Sequence, residues 1–429
     1  MTSNQVPDWV TQELFEDVLK SNVEGYSKIR SFRAGSGTAP GKTYMNVMLR
    51  VHMEVEIQGE FYLSSAELFL ISTVCPSDGT TKQISYMVKL PHQSKVYEEL
   101  MKHTDLFGTE RTMFKEVVPE MEALYKAAGL DVTFGAKSYD LKNAKTKYLA
   151  MEDLCTKGFK IANRLEGLDQ EHTERALRKL AQWHAASAVR ISTKGHYPET
   201  LLKGFYMEEN RPIMLQVTDS NSQLFLKCCK TYDSNEAYID KIKALRPVLI
   251  DEMFKLAQID TTDFNVINHG DFWTDNIMFQ YDDSGKIKEV YLVDFQVVQY
   301  GSVAQDLYSL LISSTKLEDK LSKFDHYIKV YHDSLVEHLK ILNYPKPIPS
   351  LREMHQTMFK YGLWGYNIAT GLMCAVLADP KEGVGFEEFE SESDEGLDLH
   401  MQMYNNARYR KHIQAILPWL LHRGALDMS

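Results

Sequence analysis

The sequence predicts an α+β fold in two lobes, with a β-rich first third and a mainly helical remainder. Apolar and polar residues alternate over 47–58, which is the pattern of a half-buried antiparallel strand. Helical periodicity begins at Glu171 and returns over 317–341, 351–378 and 399–422. Strands grouped ahead of helices are typical of the α+β class. A chain of 429 residues is also too long for one compact core, which favours more than one lobe.

The first third of the chain contains one predicted helix and several predicted strands. Residues 7–20 are expected to form an amphipathic helix, and the Gly-, Pro- and Ser-rich stretch 31–44 is expected to form a loop. Beyond the alternating strand, further apolar runs predict strands at 68–74 and 84–90. The last run ends in V-K-L-P, which places Lys89 near the end of a mostly apolar strand.

The following segments lead into the helical part. A helix is expected over about 105–128, interrupted or kinked at Pro119 because proline lacks the backbone N–H. A short apolar strand, 148–151, then ends at Glu152-Asp153-Leu154. The helix that begins at Glu171 has a continuous apolar stripe, which indicates that one of its faces is buried.

Composition and terminal sequence exclude several classes of protein. A formal net charge of −11 argues against a broad nucleic-acid-binding face, which would be basic. The five cysteines are odd in number and show no metal-ligand spacing, so a reducing compartment is expected. The N-terminus lacks the features of a secretory signal, and no apolar run approaches the ~18 residues of a membrane helix. We therefore expect a cytoplasmic protein that binds neither nucleic acid nor membrane.

The stretch 266–311 carries the densest set of chemically informative residues. A short strand at 264–267 leads into H-G-D-F-W-T-D-N, and a second strand at 290–293 leads into D-F-Q. A D-D-S-G sequence at 282–285 supplies a turn between them. We expect the two strands to form a hairpin, so that their ends lie close together.

Three oxygen-bearing side chains would then meet at one point. Asp271 and Asn276 follow the first strand, and Asp294 follows the second. Two carboxylates and an amide oxygen are hard donors, and Mg²⁺ bound with phosphate groups takes one or two carboxylates. The stretch therefore predicts a magnesium–phosphate site.

The order of these residues resembles that of enzymes that transfer phosphoryl groups. Such catalysis depends on positioning and charge neutralisation, and its parts are a carboxylate near the acceptor hydroxyl, metal ligands and a lysine on the phosphates. H-x-D-x-x-x-x-N followed by D-F-x has the order of the kinase signatures. H-G-D and D-F-Q depart from the H-R-D and D-F-G of protein kinases.

These strings resemble the ecdysteroid kinase-like family, in the aminoglycoside phosphotransferase and choline kinase branch of the protein-kinase-like fold. The resemblance extends in order over roughly residues 25–425. Seven strings carry it: V-K-L-P, F-G-T-E-R-T-M-F-K-E-V-V-P, M-E-D-L, L-A-Q-W-H-A-A-S, H-G-D-F-W-T-D-N-I-M-F, V-D-F-Q and Q-D-L-Y-S-L-L.

The resemblance implies a role for each matched residue. Asp271 would be the catalytic base that orients the acceptor hydroxyl, and Asn276 and Asp294 would be the Mg²⁺ ligands. Lys89 would contact the α- and β-phosphates of ATP. Glu110, on the helix that follows, would hold Lys89 in place.

Further implied contacts concern the nucleotide. The backbone of Glu152, Asp153 and Leu154 would be the hinge that hydrogen-bonds adenine. The loop containing Gly41 would cover the phosphates, and Asn46 lies just inside the next strand. The Gly-Lys-Thr-Tyr sequence of that loop departs from the turn usual in the family.

Neighbouring polar residues are expected to have structural roles. His184 and His269 are interpreted as buried histidines that brace the site, and Asp306 as a side chain that hydrogen-bonds loop backbone. Asp275 is interpreted as a solvated loop acid.

Two features of the helical remainder bear on the acceptor. The aromatic residues Tyr361, Trp364 and Tyr366 have helical spacing, which is typical of core, although a cation–π cage for a choline-like ammonium is the alternative. The acidic segment 382–398 is expected to be a solvated loop, with a cover over the acceptor as its alternative.

The resemblance implies an N-terminal ATP-binding lobe (1–150), a hinge (151–155) and a C-terminal catalytic and acceptor-binding lobe (156–429). ATP would bind between the lobes with Mg²⁺, and a small-molecule hydroxyl would accept the phosphate. An ecdysteroid or another lipophilic alcohol is the leading acceptor. The alternatives are a choline- or ethanolamine-type kinase and a nucleotide-binding pseudokinase without turnover.

A metal hydrolase is a further alternative. It would use His269, Asp271 and Asp275, but the sequence offers no second histidine at metal-ligand spacing.

Overall fold

The computed structural model describes residues 6–37, 46–58, 80–92, 102–380 and 394–427. The strand predicted at 68–74, the loop residue Gly41 and most of the acidic segment 382–398 lie outside the described residues.

The chain divides into two compact units. The first comprises Met1–Gln93 and Ala136–Lys157, and the second comprises Ser94–Gly135 and Gly158–Ser429. The predicted lobes follow the order of the chain, whereas residues 94–135 pack here with the second unit.

A five-stranded antiparallel sheet dominates the described part of the first unit. The spatial order of its strands is β1-β2-β3-β5-β4. The strands are β1 (Tyr26–Ser36), β2 (Asn46–Ile57), β3 (Thr80–Pro91), β4 (Ser138–Tyr139) and β5 (Leu149–Glu152).

The alternating pattern that predicted β2 is confirmed by its burial. Leu49, Val51, Met53 and Val55 are buried on one face of the sheet. They belong to a core that also includes apolar residues of β3 and of the N-terminal helix α1 (Glu16–Asn22). The side chains between them lie on the opposite face.

Two predictions for this unit are wrong in detail. The loop predicted over 31–44 begins later, because β1 extends to Ser36 and pairs with β2 as far as Leu49. Its small side chains resemble a loop, but the long partner strand supplies the backbone hydrogen bonds. The predicted helix at 7–20 begins only at Gln12, with a 3₁₀ turn before α1, because Pro7 instead accepts a turn hydrogen bond from Val10.

Helices form most of the second unit. The long helix α4 packs along α10, which confirms the buried stripe of the former. The helices are α2 (Leu106–Thr112), α3 (Val118–Ala127), α4 (Gln170–Lys194), α5 (Arg211–Cys229), α6 (Ile239–Leu245), α7 (Leu249–Ala257), α8 (Ala304–Tyr308), α9 (Leu317–Lys320), α10 (Phe324–Ile341), α11 (Leu351–Lys360), α12 (Gly362–Asn367), α13 (Met373–Val376), α14 (Asp394–Asn405) and α15 (Ala407–His422).

Three π-helical turns lie in the described part of this unit. Met113–Val117 and Ile368–Leu372 lie between α-helical segments, whereas Ser309–Ser314 ends the helix that begins as α8. The first separates α2 from α3, and Pro119 follows it in the first turn of α3. Proline is tolerated there because it removes an N–H that the helix cannot use in the regular pattern. The predicted interruption is therefore a π turn rather than a break.

The predicted hairpin exists, but its first strand is not the predicted one. β8 (Ile277–Tyr281) pairs antiparallel with β9 (Ile287–Leu292) across the turn that contains Gly285. The run at 264–267 forms β7 (Asn265–Asn268), which pairs instead with β10 (Gln299–Ser302). β6 (Phe159–Ile161) completes a three-stranded sheet with the hairpin.

The predicted α+β class is confirmed, with the large sheet in one unit and nearly all described helices in the other. Among the described residues, every helix is too short or too polar to cross a membrane.

Candidate active site

The candidate site begins at the end of β7, which α4 holds in place. The Trp183 indole N–H donates to the Ile267 carbonyl at 2.7 Å. The Ile267 N–H donates to the Ser187 hydroxyl at 3.1 Å. Both backbone polar groups of Ile267, its N–H and its carbonyl, are thus hydrogen-bonded to side chains of α4. The loop that follows therefore starts from a strand that is held in place.

The glycine of H-G-D is required by close packing. Gly270 has φ +81°, and a Cβ atom there would lie 2.0 Å from the Val297 carbonyl oxygen. A side chain at this position would therefore need both a disfavoured backbone conformation and a displaced neighbour. This contact explains why H-G-D, and not H-R-D, occurs in this chain.

Asp306 anchors the loop backbone, as predicted. Its carboxylate accepts the His269 N–H at 2.6 Å and the Gly270 N–H at 2.9 Å. His184 lies 3.1 Å from the same carboxylate through Nε2, and its Nδ1 lies 2.6 Å from the Tyr331 hydroxyl. Both His184 and Asp306 are fully buried. Burial lowers the pKa of His184, so the neutral imidazole is favoured despite the adjacent carboxylate.

Val293 connects the two halves of the site. Its N–H donates to the Asn276 carbonyl at 3.1 Å, and its carbonyl lies 2.9 Å from His269 Nε2. His269 is buried, which confirms that it braces the loop. Val293, the residue immediately before Asp294, is therefore hydrogen-bonded to one residue that precedes Asp271 in the sequence and to one that follows it.

The structure brings Asp271 and Asn276 into direct contact. The Asn276 amide group donates to both the carbonyl and a carboxylate oxygen of Asp271, each at 2.8 Å. Burial raises the pKa of Asp271 to about 7, and the negative charge of Asp294 contributes to the rise. Hydrogen bonds from Trp273 and Asn276 oppose it. Asp271, Asn276 and Asp294 thus share one small region, as the spacing predicted.

Asp294 has an unusual backbone conformation, with φ +68°. Left-handed conformations are uncommon for residues other than glycine, and they occur often at functional sites. Phe295 beside it is fully buried against Trp183 and His269, with Phe114 of the π turn at its edge. This packing holds the D-F-Q turn where it is.

The side chains at this point fit a Mg²⁺ ion bound with phosphates. Because the Asn276 amide nitrogen donates to Asp271, its oxygen is the atom left to act as a ligand. That oxygen and the Asp294 carboxylate are two hard donors, and Mg²⁺ takes the rest of its shell from water and phosphate. No group of three or more His, Cys, Asp or Glu side chains among the described residues is placed to hold a metal ion, so the metal-hydrolase alternative gains no support.

Sequence reasoning missed two residues that contact the site. Trp273 lies two residues after Asp271, and Gln296 lies two residues after Asp294. Gln296 donates its amide hydrogen to Asp294 at 3.2 Å. Asp275, predicted to be a solvated acid, is only 23% exposed and lies 3.9 Å from Arg164. No spacing in the sequence indicated Trp273 or Gln296, because their contacts depend on the backbone conformation of the two turns.

In the first unit, Lys89 and Asn46 share one face of the sheet. Lys89 pairs with Met48 and Asn46 pairs with Pro91, so the two polar side chains are neighbours across β2 and β3. They lie on the face opposite the apolar core, yet Lys89 is only 5% exposed and Asn46 6%. Lysine is seldom so buried unless it serves a specific interaction.

The predicted hinge follows β5 and is held by side chains of the first unit. The Asp153 carboxylate accepts a hydrogen bond from the Ser85 hydroxyl at 2.8 Å. It also forms an ion pair with Arg50, whose Nε lies 2.8 Å from Asp153 Oδ2. The Glu152 N–H donates to the Lys137 carbonyl at 3.0 Å. Leu154 begins a short 3₁₀ turn and is buried. The segment is therefore fixed by its own unit.

Glu110, in the second unit, is buried on α2 with 1% exposure. The aromatic residues are also buried. Tyr361, Trp364 and Tyr366 are 3%, 6% and 2% exposed, which confirms that they belong to the core.

Comparison with known proteins identifies a family. The sequence matches the ecdysteroid kinase-like family over residues 40–344. No curated protein matches it.

Among solved structures, an ethanolamine kinase from Plasmodium vivax is similar at a TM-score of 0.38 and 13% identity, covering 92% of this chain and 84% of that chain. A thermostable mutant of an aminoglycoside phosphotransferase, in a ternary complex with ADP and hygromycin B, is similar at a TM-score of 0.29 and 9% identity, covering 92% of this chain and 97% of that chain. Likenesses at these scores show neither a shared activity nor a shared ligand.

Proposed function

The chain belongs to the ecdysteroid kinase-like family, and from this premise we propose that it is an ATP-dependent kinase that phosphorylates a hydroxyl group of a small molecule. The observation that carries the proposal is the contact between Asp271 and Asn276, with Asp294 joined to them through Val293. These are the side chains that phosphoryl transfer to a hydroxyl requires.

Asp271 would act on the acceptor. The acceptor oxygen forms a bond to the γ-phosphorus while the bond from that phosphorus to the β–γ bridging oxygen breaks and ADP leaves. The hydroxyl proton passes to the Asp271 carboxylate. A pKa of about 7 suits this role, because a general base works best when its pKa lies near the working pH.

The remaining residues would bind the nucleotide. Asn276 and Asp294 would hold Mg²⁺, which when bound neutralises negative charge on the phosphate oxygens. Lys89 would contact the non-transferred phosphates, with Asn46 beside it on the sheet. Glu110 would support Lys89, and the backbone of Glu152–Leu154 would contact adenine.

For the acceptor we propose a lipophilic alcohol such as an ecdysteroid. The support is family membership, since the family takes its name from that substrate class. A choline-like acceptor has less support because the proposed cage residues are buried in the core. Side chains of the protein already provide cations to aromatic rings in this region. Lys360 lies over the Tyr361 ring, and Arg211 lies over the Phe254 ring.

Nucleotide binding and turnover test the proposal together. We expect Mg·ATP to raise the melting temperature, and we expect ecdysteroids or sterols to accept phosphate in a screen that also contains choline and ethanolamine. Asp271→Asn should lower turnover by about 10²–10⁴-fold with nucleotide binding retained. Asp283→Asn, in the exposed hairpin turn, is the matched control and should keep full activity.

Two results would contradict the proposal. Binding of Mg·ATP without turnover on any acceptor would indicate a pseudokinase. Undiminished turnover in Asp271→Asn would remove Asp271 from the mechanism.

A further inference from the structure

We propose that Gln296 is a positioning residue for the metal ligand Asp294. Its side-chain nitrogen lies 3.2 Å from Asp294 Oδ2, and the residue is only 6% exposed. The inference rests on the proposed function, because it assigns Gln296 a task only if Asp294 binds Mg²⁺.

The direction of this hydrogen bond follows from the chemistry of the two groups. An ionised carboxylate has no hydrogen to donate, so the glutamine must present its NH₂ group to Asp294 and turn its oxygen away. Hydrogen bonds to an ionised group are stronger than those between neutral groups. Gln296 therefore restrains Asp294 through its Oδ2 atom.

The backbone around Gln296 fixes where its side chain can reach. On one side, Phe295 is fully buried among Trp183, His269 and Phe114. On the other side, the Val297 carbonyl lies against Gly270 so closely that no Cβ fits there. Gln296 is consequently held between two packed neighbours, and its amide is directed rather than free to rotate into solvent.

The pair repeats an arrangement found at Asp271. There, the Asn276 amide donates to a carboxylate oxygen at 2.8 Å. Each of the two site carboxylates thus receives a hydrogen bond from a neutral amide close in sequence. A neutral donor fixes a carboxylate without adding charge, which matters because Asp294 already raises the pKa of Asp271.

Restraint of this kind affects how tightly a metal is held. Groups that hydrogen-bond a ligand orient it, and their loss typically weakens metal binding by about 10–100-fold. Gln296→Met keeps the length and approximate volume of the side chain but removes the donor. It should leave the fold intact and weaken the binding of Mg²⁺.

The test measures Mg²⁺ dependence by binding as well as by activity. ADP binding is followed by calorimetry and by thermal shift across a Mg²⁺ titration, in the full chain. For Gln296→Met we expect the Mg²⁺ concentration at half-maximal effect to rise about tenfold or more, with ADP binding in EDTA unchanged. Gln299→Met is the matched control, because Gln299, in β10, is also 6% exposed but its side chain packs against Gly204.

The outcomes separate this inference from the proposed function. A shift confined to Gln296→Met supports the inference. An unshifted Mg²⁺ titration, or an equal shift in Gln299→Met, overturns it and leaves the kinase proposal standing. If the unaltered protein binds ADP without any dependence on Mg²⁺, both proposals fail.

Discussion

The carboxyl group of Asp271 places function and stability in opposition. Its pKa is raised from 3.8 to about 7, chiefly by burial and then by the charge of Asp294. A folded protein that binds a proton more tightly than the unfolded chain loses stability as the pH rises between the two pKa values. The ionised form that would serve as a base is therefore the form that destabilises the fold.

Asp271→Asn should accordingly raise the melting temperature while it lowers activity. The substitution removes a carboxylate whose ionised form is disfavoured in the folded state. The gain should be small near pH 4, where the group is protonated in the folded protein and about half ionised in the unfolded chain, and should reach its full size above pH 7. Thermal unfolding at pH 4, 5.5 and 8 measures it, without nucleotide or Mg²⁺.

Asp283→Asn, in the exposed hairpin turn, again provides the comparison. A melting temperature for Asp271→Asn that falls at pH 8, or that differs from the unaltered protein by the same amount at every pH, would contradict the expectation.

At the residue scale, spacing predicted which polar side chains meet but not what holds them. H-x-D-x-x-x-x-N and D-F predicted the convergence of Asp271, Asn276 and Asp294. The roles of Gln296 and Trp273 could not be predicted in the same way. Their contacts depend on positive φ angles at Gly270 and Asp294, and neither angle can be read from residue types alone.

At the scale of secondary-structure elements, the Asp306 side chain connects several elements of the second unit. Its hydrogen bonds join α8 to the loop after β7 and to His184 of α4. His184 in turn contacts the Tyr331 hydroxyl of α10. Buried polar networks of this kind stabilise a fold only when every member has a partner. The position of the loop after β7 thus depends on helices far from it in sequence.

Asp306→Asn should destabilise the protein and impair turnover. An amide can accept one of the two loop N–H groups, but its own NH₂ would face the other donor. A buried N–H left without a partner costs about 1–3 kcal/mol, so the melting temperature should fall by several degrees. Thermal unfolding and steady-state kinetics would measure this, with a larger loss in kcat than in the KM for ATP.

Tyr331→Phe removes only the hydroxyl at the end of this hydrogen-bond network, next to His184. It should have a smaller effect on both the melting temperature and kcat. Equal effects of the two substitutions would show that the loop does not depend specifically on Asp306.

The mistaken strand pairing shows where element-level prediction fails. Apolar runs located β7 and β9, and the D-D-S-G sequence located the hairpin turn, but periodicity does not specify which strands pair. The eight residues 269–276 contain a 3₁₀ turn and reverse the chain, so β8 rather than β7 pairs with β9. β7 instead pairs with β10, whose short polar sequence Gln299–Ser302 gave no strand signal.

For the molecule as a whole, the α+β class followed from two periodicities that remained visible over long stretches. The alternation in β2 and the apolar stripe of α4 each bury a full face, so both patterns were strong. The assignment of residues 94–135 to the second unit could not be foreseen, because it depends on contacts such as that of Phe114 with Phe295.

Thermal unfolding should reflect the two units. The first unit has a hydrophobic core of its own, built from α1 and the sheet, so it can lose its packing separately. We expect differential scanning calorimetry to give a calorimetric enthalpy larger than the van't Hoff enthalpy. Equality of the two enthalpies, with coincident transitions by far- and near-ultraviolet circular dichroism, would contradict this.

Two of the three π turns bear on how the chain tolerates changes in length. A π turn holds one residue more than the α-helical turn it replaces. Removing a residue from the middle of a regular helix rotates everything beyond it by about 100° and exposes the buried face. At Met113–Val117 and Ile368–Leu372, which have α-helix on both sides, the same deletion would instead restore regular winding, and the flanking turns would keep their partners. Related chains one residue shorter at these two places can therefore preserve the same helix contacts.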